Sequence, residues 1–286
     1  MKFTVGDFVT RKSYKHDVLF KINSITNDNA ILHGVEMRLV ADAPLEDLEK
    51  VEERDLKKKE RLGKEREEFS YRLFRQDYQF MKDKRTLQSD AAYPSLPLFR
   101  LPIKVLHVDG DVTYLKKCID LYKRIGIQAH GIHMNEKEMP VQIRSLIRKI
   151  QPEILVVTGH DSFSSKKGTK KDLGAYRNSS YFIETVREAR REIPNVDQLI
   201  IFAGACQSHF ESLIRAGANF ASSPARINIH ALDPVYIVAK IAYTPFMEKV
   251  NVWETLKNTF TGERGMGGIE TRGVHRTGMP YFWDEA

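Results

Sequence analysis

The pattern of apolar and polar positions divides the chain into three stretches. Residues 3 to 50 carry short runs of β-favouring residues, FTVGDFVTRKS, DVLFKINSIT, NAILHGVE and MRLVA, broken at close intervals by Gly, Asn and Asp. Short strands joined by tight turns predict a small antiparallel, SH3-like barrel over 1–50. From about Glu46 to Arg85 the pattern gives way to EDLEKVEERDLKKKERLGKEREEF and SYRLFRQDYQFMKDKR, in which apolar positions become regular only after Phe69. Interleaved acids and bases of this kind predict an exposed, solvated helix rather than a nucleic-acid contact. Pro94, Pro97 and Pro102 then mark an irregular hinge, so that 51–100 reads as a charged helical linker and hinge.

Beyond Pro102 the pattern becomes a regular alternation over 101–286. The apolar run IKVLHV predicts a first buried strand, and Leu115, Cys118, Ile119 and Tyr122 follow at helical spacing up to Gly126, where a helix can end. IQAHGIHM is a second strand. Asn135 is placed to cap a helix carrying Ile143, Leu146, Ile147 and Ile150, and EILVVT is the third strand. A helix over 178 to 192, the strand QLIIFA, the helix SHFESLIRA closed by Gly217, the strand NFASS and a helix around VYIVAKIA complete the series. Continuous apolar strands alternating with amphipathic helices predict an α/β domain whose doubly wound, mainly parallel sheet is covered on both faces.

Composition narrows the function classes. With 286 residues and 42% hydrophobic content the chain can bury a sizeable core. No apolar run approaches the roughly 18 residues of a membrane span, and MKFTVGDFVTRKSYKH lacks the apolar centre of a signal peptide, so a cytoplasmic location without a membrane span is expected. The formal charge of +7 favours acidic partners without choosing among them. Two cysteines, Cys118 and Cys206, are too few for a disulfide framework or a tetrahedral zinc site. Neither a metal nor a cofactor is expected.

Candidate chemistry lies at two strand ends. In doubly wound sheets the loops leaving the carboxyl ends of the strands build the functional crevice. After EILVVT come Gly159, His160 and Asp161; after QLIIFA come Gly204, Ala205 and Cys206. If these strands are neighbours, about 4.8 Å apart, a Cys/His pair follows from topology. Cys206 would sit at the start of a helix, whose amino end favours a thiolate. His160 would take the thiol proton and pass it to a leaving amine. Backbone N–H groups of Cys206 and of the Gly159 to Asp161 turn are the expected oxyanion hole. His209, one turn further along, is a rival base. Cys118 lies on the apolar stripe of its helix and reads as core, and His107, His130 and His133 read as buried or hydrogen-bonded residues rather than metal ligands.

VVTGHD, FAGACQSHFESLIRAGANFASSP, NIHALDPVYIVAK and GGIETRGV, together with GDFVTRKSY and DVLF near the amino end, resemble the YabG family of sporulation-specific peptidases. The resemblance runs over nearly the whole chain and sets the catalytic cysteine on Cys206 and the histidine on His160. It implies an enzyme of the developing spore, working in the mother cell and associated with the forming coat, that trims spore-coat and related proteins, chiefly after Arg; with exposed Arg and Lys in its linker, such an enzyme is expected to cut itself. More distantly, a histidine after one strand and an Ala-Cys after the next is similar to the caspase, gingipain and clostripain peptidases, which implies a caspase-like sheet. In that group Gly usually follows the histidine, whereas here Asp161 does. Cleavage after Arg needs a buried carboxylate to pair with the guanidinium. Asp109 and Asp111 in LHVDGD are the candidates, with Asp161 a third; a turn role for Asp109 and a helix cap for Asp111 are the competing assignments. Two rival functions remain open: a basic module that binds coat protein or nucleic acid on a catalytically silent scaffold, and a Cys/His amidase acting on a small substrate.

Overall fold

The computed structural model describes residues 3–90 and 99–278, with the backbone alone for 80–90. The amino-terminal runs form β1 (Phe8–Arg11), β2 (Phe20–Thr26), β3 (Asn29–Gly34), β4 (Val40–Pro44) and β5 (Leu48–Lys50). They make one antiparallel sheet in the order β4-β3-β2-β1-β5. The β2–β3 turn is a two-residue loop between the paired Thr26 and Asn29, and Asn27 takes the left-handed conformation that such loops require. Val9, Phe20, Ile22, Ala30, Leu32, Ala43 and Leu48 point into the core, as period-two alternation dictates.

The fourth run, MRLVA, departs from the single strand it suggests. β4 starts only at Val40, while Met37 and Leu39 leave the sheet and form isolated bridges to His230 and Asp161 of the carboxyl-terminal domain. Backbone groups in that domain, not the pattern of the run, decide where the strand begins.

The charged stretch is a single helix, α1 (Glu53–Asp90), exposed along most of its described length. It is more than a linker: Phe74 is buried, its ring 5.9 Å from that of Tyr236 and 6.4 Å from that of Tyr243, and Tyr78 stacks on Tyr243 at 4.2 Å. Phe74→Ala should therefore cost about 3–5 kcal/mol of stability, read by denaturant unfolding; an exposed linker would lose almost nothing. The hinge prolines Pro94 and Pro97 lie outside the described residues.

The carboxyl-terminal part of the chain follows the predicted alternation: β6 (Phe99–Arg100), β7 (Lys104–Asp109), α2 (Val112–Arg124), β8 (Gln128–His133), α3 (Met139–Ile150), β9 (Ile154–Thr158), α4 (Ser179–Glu192), β10 (Ile200–Ala203), α5 (Phe210–Ala216), β11 (Phe220–Ser222) and α6 (Asp233–Tyr243). Short elements close it, among them β12 (Lys249–Val250) and β13 (Met266–Gly268). The main sheet runs β13-β11-β10-β9-β7-β8, parallel except for the antiparallel edge strand β13. One face packs on α2 and α6 through Val105, Val156 and Phe202, and the other on α3, α4 and α5 through Leu106, Leu155 and Ile201. The apolar cluster under α6 continues without a break into the amino-terminal sheet.

Two helix starts differ from the sequence pattern. α3 begins at Met139, and Asn135 caps the preceding turn, accepting from Lys137 N at 3.1 Å. α5 begins at Phe210, with His209 as its cap. Strand order matters most for function: from β7 the chain runs outward to β8 and then crosses to β9 on the opposite side. The crevice at the carboxyl ends of β7 and β9 is thus the topological switch point where doubly wound sheets bind ligands.

Candidate active site

Cys206 is set by the exit of β10. This strand is paired in parallel with β9, Ala203 opposite Val157, which brings the two expected strand ends side by side. The chain turns through Gly204, whose positive φ of 108° and contact with Ser222 leave no room for a side chain. The turn is held by Ala205 N donating to Ser208 Oγ at 2.9 Å. Cys206 is fully buried; Ile229 N donates to its Sγ at 3.2 Å, and its own N–H donates to Arg38 O at 3.4 Å. Because α5 starts four residues later, no helix amino end acts on the sulfur directly, and burial pushes the Cys206 thiol up to about 12. In this conformation Cys206 is therefore a thiol, contrary to the thiolate expected at a helix start.

His160 follows β9 and Gly159, and its side chain is 4% exposed. Nε2 lies 3.3 Å from Asp111 Oδ2, outside hydrogen-bond geometry, and Nδ1 lies 3.9 Å from Glu136 Oε1. Its backbone N–H donates to Glu136 Oε1 at 2.9 Å, so that N–H is occupied here. Rings of His33 and Tyr114 flank it at 4.5 and 5.6 Å. Among the described residues no hydrogen bond joins His160 to Cys206, whose sulfur is engaged by Ile229.

The three candidate acids have separate surroundings. Asp111 caps α2, accepting from Thr113 N at 2.7 Å and Tyr114 N at 2.9 Å, while its other oxygen faces His160 and, at 3.7 Å, His33. Burial alone would raise its carboxyl, but the two imidazoles and the Tyr114 N–H hold it well below the usual range. Asp109 is fully buried, with Arg38 Nη1 2.6 Å away and Thr158 Oγ1 donating at 2.9 Å; against its desolvation, the Arg38 charge keeps it ionised. Asp161 is buried as well and accepts from Ser162 N, Asn178 N and the hydroxyls of Ser179 and Ser208. Its carboxylate ties the turn carrying His160 to the turn carrying Cys206, which accounts for an aspartate where a glycine was expected.

Three residues at the site carry no chemical motif in the sequence. Glu136 sits against Gly110 and Gly159, and a Cβ at either glycine would strike its carboxylate; the glycines directly after two strands were the only trace of it. His33 comes from β3. Arg38, fully buried, comes from the segment that leaves the amino-terminal sheet. His33, Asp111 and His160 each offer one ligand atom within 4.8 Å of the others, enough for three bonds to a divalent cation.

The remaining histidines fall into place by their contacts. His107 is buried with Nε2 2.9 Å from Thr158 Oγ1. His130 and His133, expected to be buried or hydrogen-bonded, instead lie exposed on β8, where, among the described residues, the strand has a neighbour on one side only. His209 caps α5, its Nδ1 accepting from Ser212 N at 3.4 Å, and meets the Tyr176 ring at 5.1 Å. His209→Ala should cost about 1 kcal/mol of stability through loss of the α5 cap, read by thermal unfolding. Cys118 packs inside α2 with no exposure, as its position on the apolar stripe implied.

A mostly parallel α/β sheet with a crevice at its switch point offers a site for ligands, and the comparisons with known proteins place the chain among the peptidases. The family model described as YabG peptidase U57 matches residues 4–280, and the chain belongs to that family. It is similar to the sporulation-specific protease YabG of Bacillus subtilis (strain 168), 56% identical over 287 residues that span 98% of this chain and 99% of that protein. No solved structure matches. Among the described residues no helix is long and apolar enough to cross a membrane.

Proposed function

We propose that the protein is a cysteine endopeptidase of sporulating cells, with Cys206 as nucleophile and His160 as general base, that cleaves spore-coat and related proteins after arginine. The observation that carries this reading is the adjacency of β9 and β10, which sets His160 and Cys206 at one crevice beside Asp109. The Cys206 thiolate attacks the scissile carbonyl, His160 takes the thiol proton and delivers it to the leaving amine, and water then hydrolyses the thioester. Cys206 N–H is the first oxyanion donor, with Gly159 and Asp161 N–H the candidates for a second. Asp111, 3.3 Å from His160 Nε2, positions the imidazole and stabilises its protonated form. Asp109 is favoured to pair with the substrate guanidinium, since Asp161 is fully engaged in bracing the two catalytic turns and Asp111 faces His160.

The same reading takes the domain over 101–286 as caspase-like and the amino-terminal sheet as an SH3-like barrel. It puts the enzyme in the mother-cell cytoplasm, at the forming coat, and includes self-cleavage. The test is labelling by an arginyl chloromethyl ketone followed by peptide mapping. Modification of Cys206 with Cys118 untouched supports both nucleophile and specificity; equal labelling of both cysteines, or of neither, counts against them.

A further inference from the structure

The segment from Glu36 to Leu39 belongs to the loop joining β3 to β4 and lies across the crevice, bent at Glu36 and turned at Arg38, where Leu39 N donates to Met37 O at 2.7 Å. Arg38 N donates to Ile229 O at 3.3 Å, Ala231 N donates to Glu36 O at 2.9 Å, and Met37 forms an antiparallel bridge with His230. On the other side Leu39 bridges to Asp161 in parallel. Tyr114 OH ties the same segment down, its single proton shared between the carbonyls of Gly34 and Met37, both within reach. Backbone bonds on both flanks, with one side chain sent into a pocket, resemble the way a bound peptide segment is held at a protein edge.

The side chain in the pocket is an arginine. Arg38 is buried without exposure, Nη1 on Asp109 Oδ2 at 2.6 Å, Nε and Nη2 on Ala231 O at 3.2 and 2.9 Å, and Nη2 on Cys118 Sγ at 3.3 Å. Its carbonyl oxygen accepts the N–H of Cys206. The guanidinium thus meets the acid favoured for substrate arginine, and the carbonyl meets the backbone donor assigned to the oxyanion. A buried ion pair gains little stability over an apolar core, so a role in stability does not explain why an arginine is carried from the amino-terminal sheet to this one point.

We infer that Arg38 occupies the arginine subsite of the peptidase, so that the Glu36–Leu39 segment is a built-in pseudosubstrate that must leave the crevice before a protein substrate can enter. The inference rests on the cysteine-peptidase reading given above. It also explains the closed state of the centre: Cys206 has no exposure beneath this segment, and its sulfur is held by Ile229, the residue that pairs with Arg38. The subsite is made by Asp109, the Ala231 carbonyl and Cys118, which puts the second cysteine at the tip of the guanidinium rather than at the reacting carbon.

The test uses the full chain and an arginyl chloromethyl ketone, with two readouts. In the wild-type protein, amide hydrogen exchange over residues 36–39 should accelerate once Cys206 is alkylated, because the ligand's arginine displaces Arg38. Alkylated Cys206 with 36–39 as protected as before would overturn the inference. Second, Arg38→Ala should be labelled at least about tenfold faster than wild type, and Arg38→Lys by an intermediate factor, since the fraction of open centre rises. A folded Arg38→Ala labelled no faster than wild type would overturn it. If Arg38→Ala does not fold, Arg38→Lys and the wild-type exchange experiment decide. Absence of labelling at Cys206 in every form would overturn the peptidase reading and this inference with it, whereas labelling without displacement removes the inference alone.

Discussion

Replacing Cys206 by Ser should abolish cleavage after arginine while leaving the fold intact, a loss of at least about 10³-fold in kcat of the kind that follows removal of a nucleophile. Serine keeps a small buried acceptor for Ile229 N, which donates to the native sulfur, so the variant separates chemistry from folding. Alanine removes the acceptor and leaves that N–H unpaired, at a further cost of about 1–3 kcal/mol. The measurement is turnover of an arginine-containing protein substrate beside a denaturant melt. Retained cleavage in a folded Cys206→Ser protein would refute the assignment of the nucleophile.

Asp109→Asn should cost about 3–5 kcal/mol of stability, because it leaves the Arg38 guanidinium buried with neutral partners only. The same carboxylate also accepts from Thr158 Oγ1 and from Asp111 N, and lies 3.4 Å from His107 Nε2, so one substitution disturbs four neighbours. Urea unfolding measures the stability. Among molecules that remain folded, the preference for arginine over uncharged residues at the cleavage point should fall, because the pocket no longer offers a charge to a guanidinium. A variant as stable and as selective as wild type would remove Asp109 from the specificity pocket.

Local signals were faithful wherever a residue's environment is set by its own neighbours along the chain. The alternation from IKVLHV to VYIVAKIA located the strands and helices of the α/β domain, since a buried parallel strand must be apolar throughout and its covering helices striped. Gly204 and Gly217, both with positive φ, mark the turn before Cys206 and the end of α5. They failed where a longer-range partner intervened. α1 reads as solvated because its acids and bases are mixed, yet Phe74, Tyr71 and Tyr78 pack it against the core around α6. The expected thiolate failed for a related reason: the helix begins later than its apolar residues suggest, and burial beneath a distant segment raises the thiol.

Residue order alone was enough for the class of fold, the two strand ends that carry Cys206 and His160, and through its resemblance the peptidase family, because these depend on periodicity and on long matched blocks. Their surroundings came from contacts between segments far apart along the chain. Strand order made β9 and β10 neighbours and put the crevice between β7 and β9. Packing of the amino-terminal sheet against the α/β part of the chain brought His33 beside His160 and Arg38 onto Asp109, 71 residues further along the chain. It also gave three similar aspartates three occupations: Asp109 on a guanidinium, Asp111 between a helix cap and an imidazole, Asp161 bracing two turns. A carboxylate's role depends on which donors surround it in space, and residues distant along the chain supply most of those donors.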